Sequence, residues 1–108
     1  MFKIAIFIAG LLLASDAEAA VRSYFSPKQD GVRLGSCLAD GLSCGKIAAD
    51  AFCQKQGFTE SILFAREIVT VSRPVDKGGS CETGQCEAFR RIKCFSPSGL
   101  VFSTHQGS

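Results

Sequence analysis

The sequence contains no tryptophan and no asparagine, and its 108 residues include a single tyrosine and a single histidine. Without asparagine there is no N-glycosylation site. Nucleophilic catalysis by serine or cysteine normally needs a histidine base, and His105 lies in a terminal segment for which no secondary structure is predicted. Neither a C-x-x-C motif nor a phosphate-binding glycine loop occurs. We therefore expect no enzymatic activity and no cofactor.

The excess of basic over acidic residues is also small: the sequence has 12 Lys and Arg residues and 10 Asp and Glu residues, for a net charge of +2. A nucleic-acid-binding domain of this size usually carries a denser basic cluster, so we expect no nucleic acid partner. Asp40 and Asp50 are better explained as a turn residue and as a helix residue facing Lys46 than as a catalytic carboxylate pair.

The N-terminus has the order of a secretory signal peptide. Lys3 precedes an apolar run over residues 4–14, and Ala17-Glu18-Ala19 supplies a small-x-small cleavage site. This run is much shorter than the roughly 20 residues that a permanent membrane helix needs. We predict that residues 1–19 are a signal peptide, that the protein is secreted or periplasmic, and that the mature chain has no membrane span. A retained anchor is the weaker alternative.

All six cysteines lie beyond the predicted cleavage site: Cys37, Cys44, Cys53, Cys81, Cys86 and Cys94. An even number in a small exported chain indicates three disulfides. Zinc is the competing interpretation, but structural zinc sites place ligands in closely spaced pairs, and only Cys81 and Cys86 come near that spacing. We therefore expect no metal.

Six cysteines allow 15 pairings, and the sequence alone does not choose among them. Short loops with turn residues favour local bridges, and the Asp40-Gly41 dipeptide is a strong turn signal. The pairing that loop length favours is Cys37–Cys44, Cys81–Cys86 and, for the remaining two, Cys53–Cys94.

Hydrophobic periodicity predicts one helix over residues 45–56, with Ser43 available as a cap and Gly57 just past the end. The apolar positions at helical spacing are Ile47, Ala48, Ala51 and Phe52. Segments rich in β-branched and aromatic residues predict strands at 61–71 and 86–95, with shorter candidates at 21–25 and 32–34.

These elements predict a small α+β domain over residues 20–95, in which the helix packs on a short antiparallel sheet. Residues 96–108 are expected to be a flexible tail.

The strand 86–95 carries the candidate binding residues. Strand alternation places four side chains on one outward face: Phe89, Arg91, Lys93 and Phe95. Such a basic and aromatic face could contact an anionic surface, although an ordinary solvated face is the simpler interpretation. Arg90 falls on the opposite, core-facing side, which indicates a β-bulge.

The spacing of cysteines, glycines and aromatics resembles that of an uncharacterised group of small exported cysteine-rich bacterial proteins with similar plant sequences. The resemblance rests on Cys37-x₂-Asp40-Gly41-x₂-Cys44-Gly45-x₂-Ala48-Ala49-Asp50-Ala51-Phe52-Cys53-x₃-Gly57-Phe58 and on Cys81-x₄-Cys86-x₂-Phe89-x₂-Ile92-x-Cys94. It implies a disulfide-stapled scaffold and brings no established activity.

We therefore expect a binding or envelope-associated module whose partner is a protein or an anionic envelope component. A secreted inhibitor or antimicrobial-type effector is the alternative, with residues 75–85 as its candidate loop.

Overall fold

The computed structural model describes residues 19–97. The predicted signal peptide, apart from Ala19, and the predicted tail beyond Pro97 lie outside the described residues. The elements follow in the order β1 (Ala20–Phe25), β2 (Lys28–Gln29), β3 (Val32–Arg33), α1 (Lys46–Lys55), β4 (Glu60–Val69) and β5 (Cys86–Ser96). The predicted α+β class, with one helix and an antiparallel sheet, is confirmed.

The main sheet has the order β1-β5-β4, and both pairs are antiparallel. Where β1 ends, residues 34–36 take its place beside β5: the amide of Phe89 donates to the carbonyl of Leu34, and the amide of Ser36 donates to the carbonyl of Glu87. β2 and β3 form a small hairpin, and its two-residue turn uses Asp30 and Gly31 at φ 54° and 81°. These values are typical of a type I′ turn.

The helix α1 packs on one face of the main sheet through Ala48, Ala49, Phe52 and Cys53. The predicted apolar stripe is therefore displaced by one residue, since Ile47 is 57% exposed. The physical reason is the bond from Cys53 to Cys94 on β5, which requires Cys53 to face the sheet.

The predicted cap of the helix is also wrong. Gly45 at φ 72° precedes the helix, and no side chain caps it. The Ser43 hydroxyl instead donates to Oδ2 of Asp40 at 2.7 Å.

Between helix and sheet lies one cluster of buried residues: Leu34, Ala48, Ala49, Phe52, Cys53, Phe58, Val75, Phe89, Ile92 and Cys94. Tyr24 closes one side of it, with its ring edge-on to Phe52 at 5.0 Å between centroids. Edge-to-face contacts of this kind are favourable beyond the apolar area that they bury.

Three disulfides staple this core, and they join Cys37 to Cys44, Cys53 to Cys94 and Cys81 to Cys86. These are the pairs that loop length favours. The first and third close short loops at the periphery, whereas the second ties the helix to the central strand inside the core.

Asp50 fixes the helix to the beginning of β4. Its Oδ1 accepts hydrogen bonds from the amide and the hydroxyl of Ser61 at 2.8 and 2.7 Å, and Lys46 Nζ lies 3.0 Å away. Partial burial on its own would raise the pKa of Asp50, but these hydrogen bonds and the charge of Lys46 lower the pKa below its usual value. The helix therefore holds β4 through a carboxylate whose ionised form these contacts favour.

The last strand extends one residue beyond residue 95, the predicted end of the domain. Ser96 is the last residue of β5 and is buried, and its hydroxyl accepts a hydrogen bond from the amide of Thr59. Among residues 19–97, no helix has the length and apolar character needed to span a membrane.

Candidate functional site

The sheet face opposite the helix is the best candidate for a binding surface. Residues directly opposite one another on neighbouring strands point to the same face, so the pairing register gives its members in rows across the sheet. The rows are Val21, Phe95 and Glu60; Ser23, Lys93 and Leu63; and Phe25, Arg91 and Ala65. We refer to these nine residues as the open face.

Apolar side chains on the open face are unusually accessible. Phe25 is 67% exposed, Val21 is 52% exposed and Leu63 is 40% exposed. Single exposed apolar residues are common on protein surfaces, but several on one face with charged neighbours are typical of interaction sites.

Phe89 does not belong to the open face, so its prediction as a surface contact is wrong. Its side chain is 0% exposed and packs edge-on against Phe64, with 5.7 Å between ring centroids. The cause is a bulge: Ala65 and Arg66, which are consecutive on β4, pair with residues two apart on β5, so that Arg90 is an extra residue. The bulge reverses the alternation, which turns Phe89 into the core and leaves Arg90 exposed.

A shallow pocket of about 240 Å³ lies on the open face next to this bulge. Its lining residues are Phe25, Leu63, Ala65, Arg90 and Arg91. The Arg91 guanidinium carbon lies 5.8 Å from the centre of the Phe25 ring, within reach of a cation–π interaction. The Arg91 Nε is buried and has no hydrogen-bond partner among the described residues.

The charged side chains that line the pocket, Arg90 and Arg91, are both cationic, and three carboxylates of β4 and β5 form ion pairs with other cations. Glu67 pairs with Arg33 at 2.6 Å, Glu60 with Lys46 at 3.3 Å and Glu87 with Arg66 at 3.5 Å. In contrast, none of the cations Arg90, Arg91 and Lys93 forms an ion pair with a residue in the described range.

The structure thus keeps Arg91, Lys93 and Phe95 on one face, as the strand alternation predicts, and adds residues that the sequence did not single out. Phe25, Leu63 and Ala65 reach the site from neighbouring strands, and only the pairing register brings them together.

No family model, curated protein or solved structure matches this chain. The function is therefore argued from the geometry of the open face.

Proposed function

We propose that the protein is an exported, disulfide-stapled binding module that uses the open face to hold an anionic component of the cell envelope. The observation that carries this proposal is the pocket in which Phe25 and Leu63 lie beside two arginines that form no ion pair with the part of the chain that the structure describes. Export is supported by the signal-peptide pattern of residues 1–19 and by three disulfides, which persist in oxidising compartments.

The chemistry of the pocket favours a ligand with both an anionic and an apolar part. A guanidinium presents a planar fork of donors that suits phosphate and carboxylate oxygens. The rings and aliphatic chains around it gain free energy when an apolar group covers them. A phosphorylated glycolipid headgroup such as that of lipopolysaccharide combines the two.

The test is retention on immobilised lipopolysaccharide as the salt concentration rises. We expect the double variant Arg91→Ser/Lys93→Ser to lose retention. The matched control, Lys28→Ser/Lys77→Ser, removes the same charge from exposed positions outside the open face and should behave as wild type. Wild-type retention should weaken at about 0.15 M salt, where exposed charges farther apart than about 8 Å are largely screened.

Two results would contradict this proposal. Wild-type protein that is not retained at low salt would show that the open face is an ordinary solvated surface. Equal loss of retention in both double variants would show that only net charge matters, and not the site. Unfolding midpoints of the variants exclude a trivial loss of structure.

A second candidate function is that of an inhibitor or effector, and one observation favours it. Leu42 is 85% exposed at the tip of the loop closed by Cys37 and Cys44. Asp40 stiffens this loop by accepting hydrogen bonds from the amides of Ser43 and Leu42, and these bonds lower the pKa of Asp40. A rigid loop with an apolar tip is suited to a protein pocket. The loop of residues 75–85 stays a second candidate: Val75 packs in the core, and residues 76–79 and 82–85 are exposed.

The effector function predicts that the purified protein alters a target enzyme or the growth of foreign cells, and that Leu42→Asp abolishes the effect. If lipopolysaccharide retention is present and unchanged in Leu42→Asp while no such effect is found, the binding module is the correct assignment.

A further inference from the structure

The edge strand β4 has an outer edge whose backbone groups, over most of its length, have no partner within residues 19–97. On the inner side, the amide of Phe89 and the carbonyl of Glu87 bond to residues 34–36, and therefore point away from β4. In an antiparallel pair, opposite residues both point their backbone groups toward each other or both point them away. Arg66 and Ile68, which lie opposite Phe89 and Glu87, therefore direct their amides and carbonyls to the outer edge.

The same alternation makes Phe64 the next residue with outward backbone groups. The groups at Phe64, Arg66 and Ile68 have no backbone hydrogen bond to another part of residues 19–97. Described residues cover the start of the edge, because Asp50 and Lys46 bond to the amide and carbonyl of Ser61. The free edge therefore runs from residue 62 to residue 69.

Two large apolar side chains lie on this free edge at equal distances in sequence on either side of Ala65. Ile62 is 51% exposed and Ile68 is 60% exposed, and each is three residues from Ala65. Ile62 has no partner on β5, because the register shifts at this point. A groove of about 410 Å³ adjoins it, lined by Lys46 and residues 60–64. A long edge with exposed apolar residues is a ready template for a further strand.

We propose that the free edge of β4 pairs in antiparallel fashion with the same edge of a second copy of this chain, about a two-fold axis at Ala65. Phe64 then lies opposite Arg66 of the second copy, and both residues offer backbone groups to each other. Ile62 lies opposite Ile68 of the second copy, next to the groove, and the symmetry repeats both contacts.

Charge and side-chain matching favour one register among those centred on residues 64–67. An axis at Arg66 or at Glu67 would place two like charges directly opposite each other, which destabilises a strand pair. An axis at Phe64 would set Ile62 against Arg66 of the second copy. The axis at Ala65 avoids these three arrangements and places an aromatic ring opposite each arginine, while Leu63 lies opposite Glu67.

Self-complementarity is the reason to choose a second copy over a foreign strand. A two-fold interface uses one patch twice, and here one register pairs both isoleucines while it sets the outward backbone groups of Phe64 and Arg66 opposite each other. The product is a continuous six-stranded sheet. The inference does not depend on the proposed ligand, but it places the two open faces side by side, since Leu63 and Ala65 belong to both the pocket and the edge strand.

The association is tested by sedimentation equilibrium of the oxidised wild-type protein. We expect a dimer, and we expect Ile68→Lys to weaken it by about tenfold or more, because a buried charge opposes an isoleucine. The matched control is Ile47→Lys, where the replaced side chain is exposed to nearly the same extent and belongs to the helix and not to β4. The control should dimerise as wild type does.

The register is tested by cross-linking. In the proposed dimer, residue 65 of one copy lies opposite residue 65 of the other, in a pair whose backbone groups do not bond to each other. The Cα atoms of such a pair in antiparallel strands lie about 4.5 Å apart. A disulfide can span this separation. Ala65→Cys should therefore give a covalent dimer on oxidation. Leu63→Cys should not, because it faces Glu67 of the second copy.

Three outcomes would overturn the proposal. One is a wild-type chain that stays monomeric up to about 1 mM, the range of weak association. Another is a dimer that Ile47→Lys and Ile68→Lys weaken equally. The third is cross-linking at position 63 as efficient as that at position 65. A monomer that instead binds extended peptides along β4 would assign the edge to a foreign strand.

Discussion

Removal of the bridge between Cys53 and Cys94 should nearly unfold the domain, whereas removal of the bridge between Cys37 and Cys44 should not. The sequence separations of the two bridges are 41 and 7 residues. In the loop-entropy treatment these lengths correspond to about 4 and about 2.5 kcal/mol at 25 °C. Cys53 and Cys94 are also completely buried, so that alanine at both positions adds the cost of a cavity.

Protein domains are stable by about 5–15 kcal/mol, and a domain this small is expected near the lower end, so a loss above about 4 kcal/mol takes most of its stability. We therefore expect Cys53→Ala/Cys94→Ala to have little folded population without denaturant. Cys37→Ala/Cys44→Ala should unfold cooperatively at a lower urea midpoint than wild type. Far-ultraviolet circular dichroism is the appropriate probe because the chain lacks tryptophan. Equal losses in the two variants, or a larger loss in the second, would refute the argument from loop length and burial.

Two further predictions concern single side chains. Asp50→Asn should cost about 1 kcal/mol at neutral pH; because the pKa of Asp50 is lowered in the folded state, the difference from wild type should persist above the unfolded pKa of about 3.9 and shrink as acid protonates Asp50. Urea midpoints at several pH values measure this, and a constant difference would contradict the role of the Ser61 contacts. Gly78→Ala should cost about 1–3 kcal/mol, because φ is 152° and a Cβ would lie 2.6 Å from that of Ala39. Gly79→Ala, where the space is open, is its control in thermal melts, and equal melting temperatures would contradict the contact.

Local signals predicted the elements of this fold well. The helix was expected at 45–56 and lies at Lys46–Lys55, because periodicity and a following glycine are properties of the segment itself. The short disulfide loops were likewise visible as turn-sized spacings. Segments 34–36 and 72–74, whose bonds run to distant residues, left no such signal: the amide of Gly35 donates to the carbonyl of Arg73.

The candidate site was only half predictable for the same reason. Alternation along β5 correctly placed Arg91, Lys93 and Phe95 together, and the misfit of Arg90 indicated a bulge. The pattern could not show that the bulge reverses the direction of Phe89, because the reversal depends on which residue of β4 lies opposite. The pairing of Phe25 with Arg91 is a property of the sheet and not of either strand alone.

The adjacency of Ala20 and Ser96, which pair at one end of the sheet, determines how the domain would respond to mechanical tension. A pull applied at these two residues opens the ladder between β1 and β5 one rung at a time, because antiparallel neighbours held at the same end separate like a zipper. β1 carries no cysteine, so nothing covalent resists its release. Further extension then loads the disulfide between Cys94 and Cys53. The force passes through this bond, so residues 54–93, which lie in the loop that it closes, bear no load. Under force, β1 would detach from the sheet at low tension, and the helix would stay joined to β5 until the sulfur–sulfur bond between Cys53 and Cys94 breaks.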